Sequence, residues 1–376
     1  VARVLLAPDS FKGSASAADA ALALARGWRS VRPEDTFDLR PMADGGEGTL
    51  DAVHAAVPGS EHVPVEVLGP LGRRHTTSWL SLPNGEAVVE LAAASGLLLL
   101  DRDESTGLPE FHPLDAHSFG TGEAIRSAVE SGARRVHVGL GGSCSTDGGA
   151  GILLALGVEL LDRGGERIAL GNRGLAEIAS VDEAGLITLP PDGMCVWSDV
   201  DAPLVGDCGA AAVFGPQKGM SAAQIAAADA GLAHFASRLG LSAATAGYGA
   251  AGGAGSALAW LGASLMSGAE AVANTIGVPR ALEAADVVIT GEGKFDRQSA
   301  GGKVPWRVRE LARRHDVPVM LVAGLIEEDA ADFADSRALV DLAGDARTSR
   351  AHALHYLEAA GASLAERWTR SPATGA

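Results

Sequence analysis

Apolar positions in this chain fall in short runs, and each run tends to stop at glycines and acids. Val1 to Ala7 reads as a strand, and Pro8-Asp9-Ser10-Phe11-Lys12-Gly13-Ser14 follows it. Ser16 is placed to cap a helix from Ala17 to about Val31, with Leu24, Ala25 and Trp28 on one face. Thr36 to Met42 reads as a second strand, followed by Ala43-Asp44-Gly45-Gly46-Glu47-Gly48-Thr49 and a helix to about Ala56. Two strand-turn-helix units in succession predict a parallel, right-handed βαβ arrangement.

From Val63 the rhythm changes. Val63 to Leu68, His75 to Leu82, a Pro83-Asn84-Gly85 turn and Glu86 to Leu91 predict hairpin strands, and this shift marks a domain boundary near residue 70. Asp101 to Ala116, broken by Pro109 and Pro113, reads as loop, with His112 solvated. Beyond it come a helix from Ser118 to about Ser131, strands at Val136 to Leu140 and Met194 to Ser198, and an Ala-rich helix capped by Ser221 and ending near Leu239. Asp286 to Thr290, Val317 to Ala323 and Ala338 to Ala343 predict parallel strands, with helices from Pro305 to about His315 and from Arg350 to Thr369. The βα rhythm has returned. The pattern predicts an α/β protein with two domains: a discontinuous parallel-sheet, Rossmann/flavodoxin-like domain of residues 1–70 plus 280–376, and an inserted α/β domain of residues 71–279.

Composition narrows the function classes. The 376 residues are 47% hydrophobic and 20% charged, ordinary for a globular protein with room for two domains. No run approaches the roughly 18 apolar residues of a membrane span, and Val1 to Pro8 reads as a buried strand rather than a signal peptide. The expectation is a soluble, cytoplasmic protein with no membrane partner. Cys144, Cys195 and Cys208 are too scattered for a disulfide framework or a zinc site. The 30 Lys and Arg against 47 Asp and Glu give a formal charge of −17 with no basic block, which argues against a nucleic-acid partner. An acidic chain that binds an anion must use local lysines, backbone N–H groups or a metal, so lysines in glycine loops and acids able to hold Mg²⁺ become the residues to follow.

Gly139 to Gly151, Gly-Leu-Gly-Gly-Ser-Cys-Ser-Thr-Asp-Gly-Gly-Ala-Gly, lies between a strand and a helix. Such a turn can offer N–H groups and the positive helix end to a phosphate or carboxylate, or it can be a plain tight connection. Asp9, Ser10 and Lys12 follow the first strand, and Asp44 precedes two glycines. Asp199 and Asp201, two residues apart after a strand, suit a Mg²⁺ ligand pair, an acid-base pair or an acidic turn stopped by Pro203. Lys218 stands in Gly215-Pro216-Gln217-Lys218-Gly219, while Glu292 and Asp296 fall in the loop Gly291 to Ser299, ahead of Gly301-Gly302-Lys303. Gly247 to Gly252 matches G-x-G-x-x-G without a convincing strand before it and reads as a packing or ligand-facing loop. Lysines, acids and glycine turns together are the parts of phosphoryl transfer. Neither a Walker A pattern nor a protein-kinase motif set is present.

Ala7 to Ser14, Pro41 to Thr49, Ser118-Phe119-Gly120-Thr121-Gly122-Glu123, Gly139 to Gly151, Asp199-Val200-Asp201, Phe214 to Gly219 and Thr290-Gly291-Glu292-Gly293 resemble, in order along nearly the whole chain, the glycerate kinase type 1 family. The resemblance implies ATP-dependent phosphorylation of D-glycerate at the 2-hydroxyl, giving 2-phosphoglycerate, with Mg²⁺ and an active site in the cleft of a two-domain α/β fold. On it, Asp199 is the expected general base and Asp44 its rival, and Lys12 is expected to bind the transferring phosphate or the substrate carboxylate. Gly142, Ser143, Thr146 and Asp147, with their loop amides, are expected to hold an anionic end of a ligand. Asp9, Ser10, Asp201, Lys218 and Lys303 complete the substrate- or phosphate-binding set, and Glu292 and Asp296 are the expected Mg²⁺ partners. Cys144-Ser145 and Trp197-Ser198 depart from the usual family pattern and bear on the substrate more than on the reaction. A kinase of another small hydroxy acid or polyol, and a non-catalytic ligand-binding relative, are the alternatives. A homodimer is left open.

Overall fold

The protein is described by a computed structural model covering residues 1–297 and 303–368. Its early strands are β1 (Arg3–Pro8), β2 (Thr36–Leu39), β3 (Glu61–Leu68), β4 (Arg74–Ser81), β5 (Glu86–Glu90) and β6 (Arg135–Gly139). They are followed by β7 (Glu159–Leu161), β8 (Ser180–Asp182), β9 (Met194–Trp197) and β10 (Ser264–Met266), and then by β11 (Val287–Phe295), β12 (Val319–Ile326) and β13 (Asp335–Ala338). Two compact units result: residues 1–44, 51–58 and 269–376 form the first, residues 45–50 and 59–268 the second.

The first unit is built on a five-stranded, all-parallel sheet in the order β13-β12-β11-β1-β2. N-terminal and C-terminal strands thus share one sheet, with β1 hydrogen-bonded directly to β11. Val4, Leu6, Val287, Ile289, Met320 and Val322 point to one face and pack there with residues of helices Ala17–Val31 and Ala353–Arg367. The alternate residues Leu5, Val288 and Leu321 are buried as well. Burial on both faces is why these strands read as unbroken apolar runs rather than as alternation. The two helices approach closely enough that a Cβ on Gly361 would stand 2.4 Å from the Leu24 carbonyl oxygen. Ser16 caps the first of them by accepting the Asp19 N–H, and the Trp28 indole donates to Asp35 at 2.9 Å.

A six-stranded mixed sheet organises the second unit, in the order β10-β9-β6-β5-β4-β3. Its β3-β4-β5 portion is antiparallel and the remainder parallel. Ile125, Val136, Val138, Ile152, Leu153, Leu232, Phe235 and Leu258 belong to its core. The Ala-rich helix Ala222–Leu239 begins with a capping box between Ser221 and Gln224.

Three sequence expectations need correcting. The strand expected to stop at Thr290 continues to Phe295, because Gly291, Glu292, Lys294 and Phe295 go on pairing with Val322, Ala323, Leu325 and Ile326 of β12. Glu292 is therefore a strand residue and not a loop residue. Ala338 to Ala343 is the end of β13 followed by a helix, Leu339–Ala343. An apolar run that short has no period to separate the two conformations. The expected closing helix is two helices, Ala346–Ala351 and Ala353–Arg367, broken at His352, whose φ of −128° is not helical. Gln298 to Gly302 and the expected helix end at Thr369 lie outside the described residues.

Candidate active site

In the first unit a cleft of about 600 Å³ opens at the carboxyl ends of the strands. Counted among themselves, the strands of this sheet run 2-1-3-4-5, so the order reverses between β1 and β11, where open α/β sheets bind their ligands. Asp9 leaves β1 at this point; its N–H donates to the Gly291 carbonyl at 2.8 Å, and its carboxylate accepts the Ser10 N–H at 2.6 Å. Burial, and after it the negative charge of Asp44, push the Asp9 carboxyl up to about 8. Glu292 adds to the rise, while the Ser10 N–H and the Lys12 ammonium pull against it. Ser10, Lys12, Asp44, Glu292 and Lys303 line the same cleft. Gly293 and Gly324 also line it, and their lack of side chains leaves part of the wall as bare backbone.

Asp296 reaches the cleft through Lys294, which lines it together with Glu327. It is an ion-pair partner of Lys294 at 3.4 Å, and Lys294 also meets Glu327 at 2.8 Å. Both pairings hold the Lys294 ammonium above its usual range. No cluster of three or more His, Cys, Asp or Glu side chains arranged for a metal occurs among the described residues. Mg²⁺ commonly keeps several waters and takes one or two carboxylates plus substrate phosphates, so an acid-lined cleft is the kind of place it occupies. The mutual repulsion felt at Asp9 is what a divalent cation would relieve, and in that sense Asp9, Asp44 and Glu292 fit it.

The second unit holds the glycine stretch that follows β6. Asp147 is fully buried and works from inside the loop. Its carboxylate accepts the Ser118 N–H and hydroxyl at 2.8 Å each, and the Gly149 and Gly151 N–H groups at 3.2 Å each. The Ile152 N–H donates to Ser118 Oγ. These amides begin helix Ala150–Ala155, so the helix start is occupied by the protein itself and is not the open anion seat that the sequence pattern suggests. Asn172 donates to the Thr146 carbonyl at 2.8 Å and to Ala228 at 3.1 Å, tying the loop to the long helix. Gly142 keeps a φ of +77°, and its carbonyl accepts the Leu97 N–H.

What the loop leaves over is hydroxyl. Ser145 Oγ and Thr146 Oγ1 are buried with no hydrogen-bond partner among the described residues. Buried polar groups in that condition are uncommon and ask for a ligand or water. Lys218, on the short turn Pro216–Lys218, is 2% exposed and donates to Ser143 Oγ at 2.9 Å and to the Ser145 carbonyl at 2.5 Å. Burial pulls its ammonium down to about 8. Cys144 turns inward, where its thiol donates to the Ser95 carbonyl and it packs with Leu100 and Ala116. Burial pushes that thiol up to about 12, so this departure from the family pattern is a packing residue without nucleophilic character.

The Lys218 environment predicts a pH effect. The folded state gives up the lysine proton near 8 and the unfolded chain near 10.5, so between those values the unfolded state binds more protons and stability rises with pH. The cost of burying the charge is complete below pH 8 and fades above it. The gap in unfolding temperature between wild type and Lys218→Met should therefore move in favour of the wild type from pH 8 to pH 10. A gap that does not change with pH would show that Lys218 keeps an ordinary titration.

Asp199 follows β9. One oxygen of its carboxylate accepts the Ser267 hydroxyl at 2.7 Å and the Gly268 N–H at 2.9 Å, which fixes its direction. Asp201 is exposed. Glu90, which no local motif marks, accepts the Gly48 and Leu50 N–H groups and shapes the Gly45–Leu50 segment. Ser118, Asn172, Glu90 and Ser267 carry no local sequence signal for these roles because each acts on a segment distant in sequence. Gly247 to Gly252 is a packing loop: the Gly148 N–H donates to the Gly252 carbonyl, and a Cβ on Gly252 would stand 2.1 Å from the Ser145 carbonyl oxygen.

A lysine-and-carboxylate cleft at the switch point of a parallel sheet, in a chain that also carries a buried hydroxyl loop, is the equipment of a small-molecule kinase. The model of the glycerate kinase family matches residues 4–369. Glycerate 2-kinase of Escherichia coli is 42% identical over 335 residues, covering 87% of this chain and 86% of that one. Glycerate kinase of Bacillus subtilis is 42% identical over 336 residues, with the same two shares. A crystal structure from Salmonella typhimurium LT2, described as a glycerate kinase 2, superposes with a TM-score of 0.81 at 36% identity and covers 98% of this chain and 99% of its own. The chain belongs to the glycerate kinase family and is a kinase enzyme. No helix among the described residues is long and apolar enough to cross a membrane.

Proposed function

We propose that this enzyme transfers the γ-phosphoryl group of ATP to D-glycerate at the 2-hydroxyl, giving 2-phosphoglycerate. The observation that carries the reading is the cleft at the β1/β11 switch point, where Asp9, Asp44 and Glu292 meet Lys12 and Lys303. Phosphoryl transfer needs little covalent chemistry from a protein; charge neutralisation and positioning supply most of the rate. Lys12 and Lys303 neutralise phosphate oxygens. Asp9, Asp44 and Glu292 hold Mg²⁺, directly or through water, and the ion's contribution is to offset the charge of the polyphosphate. Asp296, paired with Lys294, sets the position of that lysine.

The glycerate hydroxyl loses its proton to Asp199, whose carboxylate is oriented by Ser267 and Gly268. Asp44 is the rival base. Gly142, Ser143 and Thr146 bind the anionic end of glycerate, which gives the unpartnered Thr146 hydroxyl a hydrogen-bond acceptor. Lys218 and Asp147 support these residues from behind, and Asp201 adds a polar contact at the substrate side.

The test is ADP release with Mg-ATP across glycerate, other aldonic acids and polyols, with the phosphate position in the product read by ³¹P NMR. Fastest turnover on D-glycerate with phosphate on O2 is expected. Turnover only on a polyol would move the enzyme to the alternative substrate class. Tight ATP binding with no turnover on any member would make the chain a binding protein.

A further inference from the structure

We propose that the side of the first unit's cleft formed by β12 and the helices after β13, away from Asp9 and Asp44, is the seat of the nucleotide's purine ring, an inference that rests on the kinase reading above. The two ends of this cleft differ in chemistry. One carries Asp9, Lys12, Asp44 and Glu292. The other is walled by Leu325 on β12 and by Leu339, where helix Leu339–Ala343 begins, with Ala346, Ser349, Arg350 and Ala353 on the two helices that follow. Lys294 and Glu327 also line the cleft, and their charges offset each other in an ion pair at 2.8 Å.

A purine has two apolar faces and a polar edge. Leu325 and Leu339 supply aliphatic wall, and Leu339 is 1% exposed, so that side is firm. Ala346 and Ala353 end at Cβ and leave the space between open. Arg350 is exposed beside the slot, where its planar guanidinium can stack over a ring face. Ser349, 4% exposed, brings a hydroxyl that can donate to or accept from the ring edge.

Size and charge point the same way. The cleft's 600 Å³ lies within the range of about 300–1,000 Å³ that suits drug-sized ligands and exceeds what a three-carbon acid fills. Carboxylates at the first end repel a polyphosphate unless lysines and a cation accompany it, and Lys12 and Lys303 line the cleft. A nucleotide laid with phosphates over the β1/β11 reversal and its base above β12 brings its charge to Lys12 and Lys303 and its ring to the wall of Leu325 and Leu339.

Two variants test this, with ADP and inorganic tripolyphosphate as calorimetric probes in the presence of Mg²⁺. Ala346→Trp fills the slot from an exposed position, where a larger side chain does not disturb a core; Arg350→Ala removes the stacking group. Ala346→Trp should weaken ADP by about tenfold or more, the equivalent of modest overpacking, and leave tripolyphosphate unchanged. KM for ATP should rise while KM for glycerate holds, and Arg350→Ala should shift the same quantities in the same direction by less. Equal weakening of both probes, or no weakening of ADP, overturns the purine seat while wild-type turnover of glycerate keeps the kinase reading. Wild-type protein that neither binds ADP nor phosphorylates glycerate removes both.

Discussion

Asp199→Asn is expected to lower kcat by about 10²- to 10⁴-fold, the usual worth of a positioned general base, with KM for glycerate changed little. Asparagine keeps the oxygen that accepts from Ser267 and Gly268 but cannot take up a proton at neutral pH. Fold and unfolding temperature should therefore stay close to wild type while turnover collapses. Coupled ADP-release kinetics measure it. Full turnover in a variant of unchanged stability would take the base role from Asp199 and move it to Asp44, where Asp44→Asn should then produce the loss.

The second large effect is on stability. Asp147→Ala removes a buried carboxylate that satisfies the Ser118 N–H and hydroxyl and the Gly149 and Gly151 N–H groups. Each buried donor left unpaired costs about 1–3 kcal/mol, and because the four are not independent a total of about 3–5 kcal/mol is expected. In a unit of this size that corresponds to a fall of about 10 °C in Tm by scanning calorimetry. Asp147→Asn, which keeps one acceptor oxygen, should lose less. A shift below about 2 °C for the alanine variant would mean that water replaces the carboxylate, which its burial makes difficult.

The parts of this protein legible in sequence were those whose causes are local. The Ser16-capped helix Ala17–Val31 and the Ser221-capped helix Ala222–Leu239 follow from side chains a few residues from their own ends. Parallel strands of the first sheet show as apolar runs because both of their faces are covered. The continuation of β11 through Gly291–Phe295 was hidden, since glycine and charge announce a loop unless a neighbouring strand holds the backbone, as β12 does. At the site, the acids and lysines were visible as residue types. Their division of labour was not: Asp9 and Asp147 sit in similar strand-to-helix contexts, yet one is an acid raised by burial and like charge and the other is fully spent on loop amides. That difference comes from partners such as Ser118, Asp44 and Glu292, which lie far away in the chain.

The contact between Gly252 and the Ser145 carbonyl has a bearing on how substrate range can change. The loop that presents Ser143 to Thr146 takes its shape from a second loop about a hundred residues downstream, which has no room for any side chain at the point of contact. Libraries that vary only Ser143 to Thr146 will sample chemistry on a fixed backbone. New acceptors that need a different loop path will emerge only when Gly252 and its neighbours vary together with them, so the two segments form a single unit of inheritance for specificity.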